Sequence, residues 1–356
     1  MNYIDELCIA TRTHGASDLY LLENAIPQIR LGGTWTDLGE KALTPEELEV
    51  FWMEAGGSST ALDQDCSHVA SDGGRFRVNL FRSLGRRGAV MRQIKMTAPV
   101  LSELGVPTEL MASWIENKSG LMLVTGRTGS GKSTTLAACL EWLNTQHRRH
   151  IVTIEDPIEF LFKPNQCLFS QREVGTDTSS FAEGLRRALR QSPDVIMVGE
   201  IRDADSAKTA LQAAETGHLV VASVHSQNVP ETIERLMQMF PVNEREAALQ
   251  LLAAQVIGII SQYLAPAANG GLVLICEYLQ NSALSRKWIK EGKLSDLTDL
   301  IAKGDPREMQ SFLASLVEMC KAEVITEQTA LELAPNAQEF SRLMRGICAG
   351  SGSARR

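Results

Sequence analysis

A glycine-rich stretch with one lysine and several hydroxyls, GRTGSGKSTT at residues 126–135, follows the apolar run LMLV and fits the spacing G-x-x-x-x-G-K-[ST]. Glycines allow the backbone to turn several N–H groups toward one phosphate, and the lysine reaches the outer phosphates. The helix expected to follow would point the positive end of its dipole at the same anion. A chance glycine turn is a weak alternative, so we predict a phosphate-binding loop with these residues: Gly126, Thr128, Gly129, Ser130, Gly131, Lys132, Ser133 and Thr134. Ser133 is the expected Mg²⁺ ligand.

Acidic residues follow two other apolar runs. Glu155, Asp156 and Glu159 come after HIVTI, and Glu200 comes directly after PDVIMV and a glycine. An acid at a strand end beside bound phosphates holds magnesium through water or orients the attacking water. We therefore predict a functional role for Glu200, whereas the first group on its own fits a solvated turn equally well.

Two histidines bracket the apolar run HLVVASV. His218 opens it and His225 follows it, so a whole strand, roughly 20 Å, would separate them and joint metal binding is disfavoured. Isolated histidines usually fill a core or surface role. His225, at the same end of its strand as the acids, is placed to hydrogen-bond near the γ-phosphate.

Composition limits the class of protein. The 356 residues carry 35 Lys and Arg against 43 Asp and Glu, a net charge of −8, which argues against specific nucleic-acid binding through a basic surface. The N-terminal residues, which carry acids early and no uninterrupted apolar run, are expected to form neither a secretory signal nor a membrane span. AALQLLAAQVIGIISQYLAP, interrupted by glutamines, is expected to be a packed helix. Seven scattered cysteines without a C-x-x-C pair favour reduced thiols in a cytoplasmic protein over disulfides or zinc.

The pattern of apolar residues changes about one third of the way along the chain. Residues 1–98 alternate short helical and strand-like pieces and predict a small α+β domain, followed by a proline-containing linker at 99–112. Residues 113–270 hold continuous apolar runs separated by helical stretches, which is typical of a parallel sheet covered by helices. Residues 271–356 are expected to be mostly helical.

These pieces together resemble a known family. GRTGSGKSTT, TIEDPIEF, QREVGTDT, LRRALRQSPDVIMVGEIRD and AAETGHLVVASVHS are similar to the four sequence boxes of the secretion ATPase superfamily. The order of these motifs and the residues within them resemble the PilT branch, the type IV pilus retraction ATPases. The likeness extends upstream through RFRVNLFRSLGRRGAVMR and downstream through MQSFLASLVEMCKAEVITEQTALELAPNAQEFSRLM, so it covers nearly the whole chain.

The resemblance implies an α/β fold with a RecA-like P-loop ATPase domain, preceded by a PAS-like domain and assembled as a homo-hexamer. It implies ATP and Mg²⁺ as ligands. By the same resemblance Lys132 belongs to the Walker A loop and Glu200 is the Walker B acid. The resemblance also implies roles in the acidic box: Glu155 polarises the attacking water, Asp156 helps to hold the metal, and Glu159 supports Glu155. His218 and His225 belong to the histidine box.

Six arginines crowd the end of the first domain: Arg75, Arg77, Arg82, Arg86, Arg87 and Arg92. Most are expected to be solvated. An arginine carried by a mobile domain would stabilise transition-state charge and couple hydrolysis to movement. Arg77 and Arg92 are our candidates for this catalytic role.

The implied function is a cytoplasmic hexameric motor that drives pilus retraction and twitching motility through an inner-membrane platform protein, meeting the membrane only through that partner.

Three features depart from the family pattern: Arg127 replaces a proline, SQN follows His225 where a pair of threonines is usual, and the helix ALSRKWIKEGK matches the retraction motif only at its end. A conjugation, secretion or DNA-uptake machine therefore remains an alternative. The absence of a tetracysteine loop favours the retraction branch over assembly ATPases. A ring without sustained turnover and a DNA translocase are weaker alternatives.

Overall fold

A computed structural model describes residues 2–58 and 62–345 and divides the chain into two compact units. Unit one consists of residues 1–97 together with 157–161, and unit two of residues 98–156 with 162–356. Within the described residues, no helix is both long and apolar enough to cross a bilayer.

Unit one is a six-stranded antiparallel sheet with two helices. Its elements are α1 Tyr3–Thr13, β1 Asp18–Leu22, β2 Gln28–Leu31, β3 Thr34–Asp37, α2 Pro45–Glu54, β4 Asp63–Val69, β5 Arg75–Ser83 and β6 Arg86–Gln93. The strand order is β3-β2-β1-β6-β5-β4. In β5 the residues Phe76, Val78 and Leu80 alternate into the core against α2, where Phe51 and Trp52 are buried. This period of two is the pattern of a sheet with one buried face.

Unit two contains an eight-stranded mixed sheet. Its strands are β7 Gly120–Gly126, β8 His150–Glu155, β9 Leu168–Glu173, β10 Val195–Val198, β11 Leu219–Val224, β12 Val256–Pro266, β13 Leu272–Gln280 and β14 Met309–Gln310. The order is β14-β13-β12-β7-β11-β10-β8-β9, and all pairs from β12 to β9 are parallel. Strands β7, β10 and β11 are buried at every position, as their continuous apolar runs predict.

Helices of unit two cover this sheet and form the C-terminal part of the chain. They are α3 Thr108–Ile115, α4 Lys132–Gln146, α5 Phe181–Ala188, α6 Ala204–Glu215, α7 Val229–Met239, α8 Arg245–Gln255, α9 Ala283–Lys290, α10 Leu294–Lys303, α11 Phe312–Lys321, α12 Glu327–Leu333 and α13 Ala337–Met344. The α/β class matches the sequence expectation, and so does the mostly helical C-terminal region over residues 271–345; residues 346–356 of that prediction lie outside the described part of the chain. The stretch 99–112, expected to be a linker, contains a 3-10 turn at Leu101–Glu103 and the start of α3. Leu101 and Met111 are buried, so this stretch is packed.

One predicted helix is wrong over half of its length. The segment AALQLLAAQVIGIISQYLAP is helical only to Gln255, and its second half is strand β12, which pairs with β7 and β13. Alanine, leucine and glutamine suit the helical half, while the β-branched residues beyond it suit a strand. Placing β12 beside β7 brings Gln262 level with Gly126.

Gly258 shows why β12 can lie against α3. A Cβ at this position would come closer than 3.0 Å to the indole ring of the fully buried Trp114.

We expect Gly258→Ala to lower the free energy of unfolding by about 1–3 kcal/mol, the usual cost of overpacking a core, measured by urea denaturation. Combining it with Trp114→Leu should cost less than the sum of the two single changes, because the smaller side chain leaves room for the methyl group. Additive losses would show that the steric contact is not the cause.

Candidate active site

The phosphate loop connects β7 to α4 and depends on glycine at three positions. Gly126, Gly129 and Gly131 have φ of 147°, 80° and 90°, values that side-chain-bearing residues rarely adopt. A Cβ on Gly126 would also collide with the carbonyl oxygen of Gln262 and the hydroxyl of Ser130. The loop therefore passes close to β12, and only glycine fits at its first residue.

Lys132 begins α4 and points back over the loop. Its Nζ donates to the carbonyl oxygens of Gly126, at 3.0 Å, and Arg127, at 2.9 Å. It also lies 3.5 Å from Nδ1 of His225. Phosphate oxygens would replace these carbonyls as acceptors, since an ammonium group prefers an anionic partner.

Glu200 and His225 lie at the carboxyl ends of neighbouring parallel strands. Nε2 of His225 is 3.2 Å from Oε1 of Glu200. Burial lowers the pKa of His225, and the positive charge of Lys132 lowers it further, while Glu200 acts in the opposite direction. A neutral ring that donates from Nε2 to Glu200 and accepts from Lys132 at Nδ1 satisfies both contacts. His225 thus joins the lysine and the acid.

Arg202 connects the acidic segments that follow two separate strands, β8 and β10. Its Nε donates to Glu200 at 2.5 Å, and its Nη1 lies 3.2 Å from Oδ2 of Asp156. Glu155, one residue earlier, is buried and accepts a 2.6 Å hydrogen bond from the hydroxyl of Thr153. The structure therefore brings Asp156, Glu200, His225 and Lys132 into one connected group.

The loop has the features of an anion site. Ser130 Oγ, in the middle of the loop sequence, is buried with no hydrogen-bond partner among the described residues. Over all the residues that the structure describes, no group of three or more His, Cys, Asp and Glu side chains is placed to hold a metal ion by itself. Magnesium needs few protein ligands when phosphates supply the others. Ser133, at the start of α4, and the carboxylates of Glu200 and Asp156 are oxygen donors that fit this pattern.

The other predicted site residues lie elsewhere. His218 stands at the opposite end of β11 from His225, about 20 Å along a strand of this length, where Nδ1 contacts the carbonyl oxygen of Ala213 at 3.2 Å. Glu159 belongs to the 157–161 segment of unit one, where its carbonyl oxygen accepts from the Lys95 N–H. His218 therefore does not meet the phosphate loop within unit two.

Arg77 and Arg92 are cross-strand partners in unit one. Arg77 lies 3.6 Å from Asp65, and Arg92 pairs with Asp18 at 2.8 Å while its side chain stays 68 % exposed. Arg87, in contrast, is largely buried between Glu23 and Glu49. This ion-pair geometry assigns Arg87 to the packing of unit one.

Two sets of residues near the site have no predicted role. Arg202 could have been found, because it follows Glu200 by two positions in the same strand-end loop. The buried hydroxyls of Thr125, Ser226, Thr232 and Ser261, which hydrogen-bond in series, lie far apart in the chain and carry no motif.

Comparison with protein families gives a match to the Type II/IV secretion system protein family over residues 68–293. The match therefore includes all the residues of the site in unit two and the last strands of unit one.

Individual proteins extend the similarity to nearly the whole chain. The type IV pilus retraction ATPase PilT of Pseudomonas aeruginosa is 36 % identical over 343 residues, covering 95 % of this chain and 99 % of that protein. The crystal structure of the pilus retraction motor PilT with bound ADP has a TM-score of 0.88 at 37 % identity, covering 96 % and 99 %. The ATPase DotB of Legionella pneumophila has a TM-score of 0.78 at 28 % identity, covering 93 % and 95 %.

Lys132→Ala should abolish nucleotide binding, because it removes the one charged side chain that the loop holds over its own carbonyls. Titration with a fluorescent ATP analogue measures this. Lys321→Ala, which changes an exposed lysine of α11, is the matched control and should bind as the wild type does. Undiminished binding by Lys132→Ala would show that the loop is not the phosphate site.

Proposed function

Because the chain belongs to the type II/IV secretion system family and is a PilT-like ATPase, we propose that it is the motor that retracts a type IV pilus. One observation carries this proposal: the likeness to PilT extends over 96 % of the chain at a TM-score of 0.88, which includes unit one as well as the ATPase unit. The ATPase DotB of Legionella pneumophila matches less well, at a TM-score of 0.78.

Each group of the site has a proposed part in ATP hydrolysis with Mg²⁺. Backbone N–H groups of the loop and Lys132 bind the phosphates, and Ser133 and Glu200, with Asp156 beside them, hold the metal, partly through water. A metal held there would neutralise phosphate charge. Glu155 orients the attacking water, and His225 contacts the γ-phosphate region from its position between Lys132 and Glu200. Such a site acts by positioning and charge stabilisation, without a covalent intermediate.

The proposed working form is a homo-hexamer whose PAS-like unit one moves relative to the ATPase unit. Arg77 and Arg92 are the candidates to reach nucleotide, because they are neighbours on β5 and β6 and Arg92 is mostly exposed. The ring would act at the cytoplasmic face of the inner membrane, held there by a platform protein of the pilus machine. No specific nucleic acid takes part.

A second candidate function keeps the ATPase and changes the machine. The similarity to DotB supports it, as does helix α9, whose Ile289 is buried while Leu284 is 44 % exposed. This helix differs from the retraction motif at Ser285 to Trp288, on the segment where a partner of another secretion, conjugation or DNA-uptake machine would bind.

Glu200→Gln should bind ATP and hydrolyse it at least about a hundredfold more slowly, since the carboxylate charge acts mainly in the transition state. Phosphate release by the purified protein measures this. Glu215→Gln, at the exposed end of α6, is the control and should keep wild-type turnover. Normal turnover in Glu200→Gln would assign the role to another acid.

The retraction role is tested by counting surface pili by electron microscopy in the source bacterium. A deletion strain, and the same strain complemented with Glu200→Gln, should be hyperpiliated and unable to pull, because pili assemble but are not withdrawn. Complementation with Glu215→Gln should restore the wild-type count. Lost or unchanged pili in the deletion strain would favour the second candidate function.

A further inference from the structure

His225 contacts two groups that come from other segments, Lys132 on α4 and Glu200 after β10. His225 is the first residue of the loop between β11 and α7, and its side chain is about one third exposed. Its contacts therefore depend on how that loop is held against the phosphate loop. Two layers of hydrogen bonds, one buried and one exposed, connect the loops.

The buried layer is a series of side-chain hydroxyls beneath the site. Ser226 Oγ lies 2.7 Å from Thr232 Oγ1, which lies 3.3 Å from Thr125 Oγ1, which in turn lies 2.6 Å from Ser261 Oγ. All four residues are at most 4 % exposed. Thr125 directly precedes Gly126 and Ser226 directly follows His225, so the series ties the start of the phosphate loop to the histidine through α7.

Thr232 is the central member of this series. Its hydroxyl donates to the carbonyl oxygen of Asn228 at 2.7 Å, the shorter of its two acceptor contacts. Its single proton is shared between this carbonyl and the Thr125 hydroxyl, so Ser226 donates to Thr232. Removing the Thr232 hydroxyl leaves the buried hydroxyl of Ser226 without this acceptor, and an unsatisfied buried polar group is costly.

The exposed layer lies above the same two loops. Nη2 of Arg127, the residue after Gly126, donates to Oε1 of Gln227 at 2.9 Å. The backbone N–H of Gln227 donates to Glu231 Oε2 at 3.0 Å, which fixes Gln227 on the first turn of α7. The residues on both sides of Gly126 therefore hold the two residues that follow His225.

We propose that these two layers form a clamp between the phosphate loop and the His225 loop, and that Thr232 and Arg127 are positioning residues that keep His225 against Lys132 and Glu200. The proposal rests on the proposed function only in taking these three residues as the ATPase site. A clamp of this kind affects the transition state more than nucleotide binding, because the loop N–H groups and Lys132 bind the phosphates without it.

ATP turnover by purified Thr232→Val, Thr232→Ser and His225→Asn tests the buried layer. Thr232→Val, which keeps the shape and loses the hydroxyl, should lower kcat about tenfold and leave KM within about twofold. Thr232→Ser keeps the hydroxyl and should stay close to wild type. The double variant Thr232→Val with His225→Asn should be no slower than His225→Asn, because Thr232 acts through the histidine.

The exposed layer is tested with variants that do not alter the core. Arg127→Ala and Gln227→Ala should each lower kcat about threefold, and the double variant should be no slower than either, because one contact is lost in all three. Arg148→Ala, two residues beyond the far end of α4 and about 20 Å from the loop, is the matched control and should be unchanged.

Several results would overturn the clamp. These are additive losses in either double variant, a higher KM with normal kcat, a Thr232→Ser variant as slow as Thr232→Val, or wild-type turnover in His225→Asn. Thermal unfolding of each variant identifies any loss that follows from instability. Turnover is measured without pili, so failure of the clamp leaves the retraction proposal standing, and an unchanged pilus count leaves the clamp standing.

Discussion

The close approach of the phosphate loop to strand β12 is the constraint on which unit two depends. Gly126 lies level with Gln262, and any side chain at Gly126 would meet that residue's backbone. Since β7 lies between β12 and β11, the loop is enclosed on one side by β12 and on the other by the end of β11, where His225 begins the next loop. The sheet order therefore decides which side chains can reach bound phosphate. Helix α4 starts immediately after the loop, so its first turn is directed at the same space.

The sequence predicts the parts of this site that lie in one segment. The loop is recognisable because its glycine spacing reflects backbone conformations, and Glu200 and His225 are recognisable because each follows a continuous apolar strand. In a parallel sheet the ends of such strands meet at one edge, so their convergence follows from the pattern. The helix expected over residues 247–266 is wrong beyond Gln255 because strand pairing with β7 and β13 outweighs the local helical composition. The hydroxyl series under the loop could not be predicted, since serine and threonine carry no periodicity and their partners are set by the fold.

Unit one illustrates a different limit of sequence reasoning. The six arginines near its end look equivalent in sequence, and their physical roles differ because of the acids that the sheet places beside them. Arg87 has two carboxylate partners and little exposed surface, which suits a structural ion pair. Arg92 also has a buried partner, Asp18, yet most of its own side chain faces solvent. Partner geometry, which strand register determines, separates these cases.

Lys132 and His225 begin a set of contacts that leads from the phosphate loop to α7. The Lys132 ammonium group donates to two loop carbonyls and faces His225, and a phosphate bound in the loop would compete with these acceptors. His225 lies on the loop that leads into α7, and the first N–H of α7, at Val229, donates to the buried carboxylate of Glu277 at 2.8 Å. The other oxygen of that carboxylate accepts from Phe312 at the start of α11, at 3.4 Å. Burial raises the pKa of Glu277, and these backbone donors oppose the rise, so the carboxylate is held by both helices at once. The first turns of α7 and α11 are therefore joined by one buried carboxylate.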